Sequence, residues 1–164
     1  MALIANLIIG ADGSTSLDGN SKKLSSPEDR TRFHILRKEA KAIVIGGETA
    51  RKEPYKSTPL PLYVLSRKEK ISELDGNDLA MIINEEPSNF IKKLKSQIKG
   101  DVLFEGGPNL LSEIIDLVDY LYITISTKTG DGQLISFDGL TRNFVMEDKE
   151  VMQGEIFYKF KQLR

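Results

Sequence analysis

At 164 residues, with 40% hydrophobic and 29% charged, the chain has the size and composition of one globular domain, residues 1–164, with a sizeable core. A net charge of −1 offers no attraction to nucleic acid or to an anionic membrane, and no apolar run approaches the roughly 20 residues of a membrane span. The absence of cysteine and the single histidine, His34, exclude disulfides, thiol nucleophiles and Cys- or multi-His metal sites, and fit a cytoplasmic protein.

Residues 2–10, rich in Leu and Ile, predict a first, central strand. The polar stretch 11–26, with Gly13 and Gly19, predicts a long loop of the kind that often carries function. Ser26-Pro27-Glu28-Asp29 predicts a helix start, with a hydroxyl cap, a proline where no N–H is needed, and two acids at the positive end of the dipole. That helix is expected to run to about Glu39, with Phe33, Leu36 and Ala40 inward and His34 on the surface. Residues 42–45 (AIVI) read as the next buried strand, ending in Gly46-Gly47-Glu48-Thr49. A proline-punctuated loop from Glu53 to Pro61 leads to a strand at 62–65, closed by Ser66-Arg67, and a further strand is expected at 79–83. Ser88 is expected to cap a helix with Phe90, Ile91, Leu94 and Ile98 on its apolar side, and Lys92, Lys93, Lys95 and Lys99 on a solvated face.

Residues 102–118 (VLFEGGPNLLSEIIDLV) hold the most informative junction. Val102-Leu103-Phe104 reads as a buried strand, and Leu110, Leu111, Ile114, Ile115 and Val118 fall on one helical face behind Pro108. Glu105-Gly106-Gly107 therefore lies between a strand end and a helix start. Backbone N–H groups point outward there, and two missing side chains let an anion such as pyrophosphate approach. A tight connection that needs glycine only for positive φ is the plainer account. Residues 119–126 read as a strand of strong β formers, a loop with Gly130, Gly132 and Gly139 follows, and strands at 145–151 and 155–160 join around Gly154.

Strands that alternate with helices and then close the chain in a run predict an α/β fold, its sheet mostly parallel with an antiparallel C-terminal edge. Such sheets bind ligands beyond the carboxyl ends of their strands, which would gather both Gly-Gly turns and Ser66-Arg67 along one edge. One extended, phosphate-bearing ligand is the economical explanation for two such glycine pairs.

Four pieces, in order, carry a family resemblance: Ser16-Leu17-Asp18-Gly19; Leu24-Ser25-Ser26-Pro27 through Leu36-Arg37; Gly46-Gly47-Glu48-Thr49 with Glu53-Pro54; and Glu105-Gly106-Gly107-Pro108. With Asp119-Tyr120-Leu121 they resemble the reductase domain of the bifunctional deaminase–reductase of riboflavin biosynthesis, in the three-layer dihydrofolate-reductase-like fold. The resemblance implies NADPH as hydride donor and a phosphorylated ribosylaminopyrimidine, 5-amino-6-(5-phosphoribosylamino)uracil or a close relative, reduced at its ribosyl C1. It also implies a homodimer. Cofactor contacts would come from Thr49, Glu53, Ser66, Arg67, Gly106, Gly107, Pro108, Asn109 and Leu110, and substrate contacts from Ser21, Arg37 and Glu105. A hydroxyl and a guanidinium at Ser66-Arg67 suit the 2′-phosphate that distinguishes NADPH, with an ordinary exposed strand end as the alternative.

The chain departs from the family pattern at several points. The loop after Gly19 is shorter, Lys23 replaces a usual tryptophan, Lys52-Glu53 replaces an acidic pair, and no arginine follows Pro54 to hold a substrate phosphate. Lys56 is the candidate substitute, as a point charge. Burying Glu105 without a partner is unfavourable, Arg37 near a helix C-terminus has a dipole account of its own, and Asp18 reads as a turn residue. No activated nucleophile is present, so the protein would align cofactor and acceptor carbon, with Glu105, Lys23 or water as proton source. Two alternatives stand beside this reading. One is a pterin-type reductase, although no acidic residue matches the one that dihydrofolate reductases use to hold the pteridine. The other is a non-catalytic nucleotide-binding relative.

Overall fold

In the computed structural model the chain builds one eight-stranded sheet, wound outward from its middle. Strand β1 (Leu3–Ile9) is central, and helix α1 (Pro27–Glu39) carries the chain across to β2 (Ala40–Gly46). Helix α2 (Gly47–Lys52), β3 (Leu62–Leu65) and β4 (Ala80–Ile83) continue to one edge. Helix α3 (Pro87–Gln97) then returns the chain so that β5 (Asp101–Gly106) slots between β1 and β2. Helix α4 (Pro108–Ile114) leads to β6 (Tyr120–Ile125) on the far side of β1, and α5 (Phe137–Thr141) precedes the hairpin of β7 (Phe144–Met152) and β8 (Glu155–Gln162). The order is β4-β3-β2-β5-β1-β6-β8-β7. Strands β1 to β6 pair in parallel; β8 runs antiparallel to β6, and β7 to β8. This is the mostly parallel sheet with an antiparallel C-terminal edge that the strand pattern predicts.

Side chains alternate across β2 and sort the core into two layers. Ala42 and Val44 join Phe90, Leu94, Leu111 and Ile114 under α3 and α4, whereas Ile43 and Ile45 join Ala50, Tyr55, Ile71 and Leu74 beside α2. Both faces are therefore covered, as the unbroken apolar runs of β2 and β5 require. No helix is long and apolar enough to cross a membrane.

Several local expectations need correction. In α1, Phe33 and Leu36 are only half-buried, Ala40 already belongs to β2, and the one buried residue is Asp29. This helix covers the sheet with polar side chains around a cavity instead of an apolar stripe. Its start is as expected, with Ser26 Oγ accepting from the Asp29 N–H at 3.0 Å. Helix α3 is capped by Glu86, not Ser88, because Pro87 takes the first helical position and leaves the cap to its predecessor. Lys95 is half-buried against Asp119 and the Leu117 carbonyl, so it is not part of a purely solvated face. The turn of α5, hidden in sequence by Gly139, is capped by Ser136.

Asp119, at the foot of β6, ties three segments together. Its Oδ2 accepts from the Leu3 N–H (2.7 Å) and from Lys95 Nζ (2.9 Å), and Arg164 Nη2 lies 2.9 Å from Oδ1. Burial favours the neutral acid, but the Leu3 N–H and the two cations outweigh it and hold the carboxyl below its usual pKa. The folded state then binds fewer protons than the unfolded chain across that interval. The stabilisation is complete above the ordinary carboxylate range and is lost as pH falls through the lowered folded value. Asp119→Asn is expected to reduce unfolding free energy by about 1–3 kcal/mol at neutral pH. The gap from the parent should close in acid below about pH 4, as urea titrations at both pH values will show.

Candidate functional site

The carboxyl ends of β2, β3, β4 and β5 stand side by side, and the residues after them line a cleft of ≈ 680 Å³. Gly46-Gly47, Ser66-Arg67 and Gly107-Pro108 meet there, joined by residues 84–87 and by Gly132-Gln133 from the loop after β6. A smaller cavity of ≈ 140 Å³ lies between α1, β1 and the end of β5. Thr15, Thr49, Glu53, Gly107 and Pro108 line both, so the two form one trough with two compartments.

The expected cofactor residues Thr49, Glu53, Ser66, Arg67, Gly107, Pro108, Asn109 and Leu110 line the larger compartment, and Gly106 lines the smaller. Ser21, Arg37 and Glu105 line the smaller one together. Lys23 and Lys56 line neither: Lys23 Nζ bonds the Asp18 carbonyl at 3.1 Å, and Lys56 is exposed. Asp18 is a turn residue, with φ +47° ahead of Gly19 at +93°.

The glycines are needed first by the protein itself. Gly106 has φ +143°, and a Cβ on Gly107 would lie 3.0 Å from Thr49 Oγ1. A Cβ on Gly47 would lie 2.9 Å from Ser66 Oγ. Missing side chains thus let the turns after β2, β3 and β5 touch. What remains for a ligand is the pair of helix starts. Side chains of Ser26, Glu86 and Ser136 cap α1, α3 and α5, whereas α2 and α4 begin at Gly46 and Gly107 with no side-chain cap. Around the rim, Glu48 pairs with Lys52, Glu53 accepts from the Ser21 N–H, Glu85 pairs with Lys93, and Glu86 is spent on its cap. Arg67 is exposed and has no carboxylate partner.

In the smaller compartment the Glu105 side chain is 1% exposed. Its oxygens accept from Arg37 Nε and Nη2 and from the Tyr55 hydroxyl, each at 2.7 Å. The fork-to-fork geometry is the strong form of an ion pair. Burial raises the Tyr55 pKa well above its usual value, and the Glu105 charge adds to this, so the phenol stays a donor. For Arg37, burial pulls the pKa down, but the hydrogen bonds and charge of Glu105 outweigh it and raise it.

A second carboxylate, Asp29, is 8% exposed; it accepts from Thr124 Oγ1 at 2.7 Å and from Ser25 Oγ. Sequence reasoning read Asp29 only as a dipole partner and missed Tyr55, Arg30 and Phe33 as wall residues. Gln133 was missed too, although the glycines beside it were a signal: a Cβ on Gly132 would lie 1.8 Å from Ser16 Oγ. Glu105→Gln is expected to destabilise the fold by about 3–5 kcal/mol, because it leaves Arg37 buried without a counter-charge. Tyr55→Phe should have the smaller effect, about 1–2 kcal/mol, and denaturant titration of both variants checks the ranking.

This architecture and cleft place the chain among dihydrofolate-reductase-like α/β proteins. A dihydrofolate reductase from Enterococcus faecalis, complexed with NADP(H) and RAB-propyl, has a TM-score of 0.73 at 17% identity, covering 98% of this chain and 96% of that one. More narrowly, residues 1–154 match the family model of the RibD C-terminal domain, and the chain belongs to that family. A pyrimidine reductase-like protein from Corynebacterium diphtheriae is similar at TM-score 0.74 and 21% identity, over 99% of this chain and 92% of that one. The diaminohydroxyphosphoribosylaminopyrimidine deaminase/5-amino-6-(5-phosphoribosylamino)uracil reductase of Thermotoga maritima has a TM-score of 0.76 at 17% identity. The match covers 98% of this chain but only 56% of that longer one. No curated protein sequence matches the chain.

Proposed function

We propose that this chain is an NADPH-dependent reductase of the riboflavin-biosynthesis type, acting at the ribosyl C1 of a phosphorylated ribosylaminopyrimidine. The observation that carries the reading is the two-compartment trough, which meets at Thr49 and Gly107. Membership of the RibD C-terminal domain family supports it, as do the pyrimidine reductase and deaminase/reductase names of similar structures.

The larger compartment suits NADPH: its volume is within the roughly 300–1,000 Å³ of small-molecule sites, and it offers two uncapped helix starts and the free guanidinium of Arg67. When bound, the cofactor supplies the hydride. Thr49, Gly107 and Pro108 would hold its reactive end at the junction, while Ser66 and Arg67 would take its adenosine phosphate. Glu105 is committed to Arg37 and Tyr55, so we read it as a positioning residue that fixes the Arg37 guanidinium toward substrate. Lys23 lines neither compartment, which supports water over Lys23 as the proton source.

Asp29 favours a second reading, reduction of a pterin-like heterocycle. A buried carboxylate in the wall of the smaller compartment is an acceptor suited to the paired N–H donors of an aminopyrimidine ring. A fluorescence titration is expected to show saturable NADPH binding, weakened about tenfold by Arg67→Ala with little change for NADH. If neither cofactor binds, both reductase readings fall. NADPH oxidation that depends on the phosphoribosylaminopyrimidine selects the first; oxidation that depends on a dihydropterin selects the second. Binding with no turnover of either leaves a nucleotide-binding relative.

For the homodimer, the edge strand β7 is the surface we favour, since Val145, Met146 and Val151 are 47%, 52% and 62% exposed on an unpaired edge. Sedimentation equilibrium is expected to give twice the 18.4 kDa chain mass, and Val151→Lys to shift the distribution toward monomer.

A further inference from the structure

The loop after β1 and the loop after β6 are zipped into one unit. The Ala11 N–H donates to the Lys128 carbonyl (2.8 Å), the Gly132 N–H to Ser14 Oγ (2.9 Å), the Asp131 N–H to the Ser16 carbonyl (3.1 Å) and the Ile135 N–H to the Gly13 carbonyl (2.9 Å). Only glycine allows so close an approach: a Cβ on Gly130 would lie 2.1 Å from the Ser16 carbonyl oxygen. Within the unit, the Gln133 carbonyl accepts from both the Thr15 N–H (2.9 Å) and Thr15 Oγ1 (2.8 Å). The backbone of Gln133 is thereby fixed in the wall of the larger compartment, which Thr15, Ser16 and Gly132 also line.

Two hydrogen bonds cross from this unit to the opposite bank of the trough. The Ser21 N–H donates to Glu53 Oε1 at 2.5 Å, and Gln133 Nε2 donates to Asn109 Oδ1 at 2.7 Å. Gln133 and Asn109 are both exposed, so water competes for their amides and the fold gains little from the bond. Each amide also keeps a group unspent within the protein, Nδ2 of Asn109 as a donor and Oε1 of Gln133 as an acceptor.

We propose that Gln133 is a cofactor-positioning residue, which forms a clasp with Asn109 across the larger compartment and retains a dinucleotide in the cleft. The inference deepens the reductase reading and rests on it for the identity of the dinucleotide. Ser66 and Arg67 line only the larger compartment, whereas Gly107 and Pro108 line both. Asn109 follows Pro108, so the clasp acts on the junction side of the cleft, away from the adenosine end. The ribose and pyrophosphate of a dinucleotide carry hydroxyl donors beside phosphate acceptors, and the unspent amide groups of the clasp match both. A clasp of this kind acts chiefly on the rate of release.

The test is stopped-flow release of NADPH from the full chain, beside a titration with adenosine 2′-phosphate, which carries the adenosine end alone. Gln133→Ala and Asn109→Ala are each expected to speed NADPH release by roughly five- to tenfold. The double variant should release it no faster than the faster single variant, because both remove the same bond. Adenosine 2′-phosphate should bind the parent and Gln133→Ala with equal affinity, and the urea midpoint of Gln133→Ala should match that of the parent. Parental release of NADPH by Gln133→Ala overturns the proposal, as do multiplicative effects in the double variant or an equal loss of adenosine 2′-phosphate binding. The two readings fail separately. Gln133-dependent retention of NADPH in a chain that reduces no ribosylaminopyrimidine upholds the clasp and sinks the reductase reading. NADPH-dependent turnover of the phosphorylated substrate, with release unaltered in Gln133→Ala, does the reverse. A parent chain that binds no NADPH sinks both.

Discussion

A carboxylate at the end of a central strand is the constraint around which one face of this protein is arranged. Glu105 closes β5, with strands on both sides and almost no solvent, where an unpaired charge is not tolerated. It is satisfied by Arg37 from α1 and Tyr55 from the segment that leads to β3. That single requirement ties together three elements that would otherwise meet only through the sheet. It also explains why α1 is polar on the side it buries: the helix brings an arginine to the sheet, not an apolar stripe. The space left around the ion pair is the smaller compartment.

The two ends of the sheet spend their polar groups differently. At the end where β1 and β6 begin, Asp119 binds the Leu3 N–H, Lys95 and Arg164 and closes the structure with local charge pairs. At the opposite end the strands finish in glycines and short helices, and the backbone groups of α2 and α4 have no side-chain caps. The glycines there have a double consequence. They let three turns pack within contact distance of Thr49 and Ser66, and in doing so they keep those helix starts open along the cleft. Sheets of this kind leave their ligand crevice at that end because the connections part where the strand order reverses, here at β5 and β1.

Charge in the smaller compartment follows from a count of partners more than from a count of residues. The wall holds acids and bases in similar number, but the acids are all hydrogen-bonded within the protein whereas Lys22 and Arg30 make no ion pair. A net charge of −1 for the whole chain gave no hint of this local excess. The larger compartment shows the same logic at Arg67, exposed where Glu48, Glu85 and Glu86 are already engaged within the protein.

Sequence by itself determined most of the elements and their order, with α5 (Phe137–Thr141) the exception, masked by Gly139. The runs AIVI and VLF are strands because continuous apolar side chains need cover on both faces, Ser26-Pro27 starts a helix through its own cap, and Gly-Gly marks each turn that must approach another. These signals are local, carried by period, propensity and φ. Only the tertiary structure decided which side chains meet. Glu105 finds Arg37 and Tyr55 across 68 and 50 residues, and Asp29 finds Thr124 across 95. The Glu105 contacts exist because β5 is inserted between β1 and β2, and the Asp29 contact because β6 lies beside β1 under α1, pairings set by how the apolar faces stack in three dimensions and by no short-range pattern. The residue types that line the two compartments were therefore visible along the chain, and their partners were set by the fold.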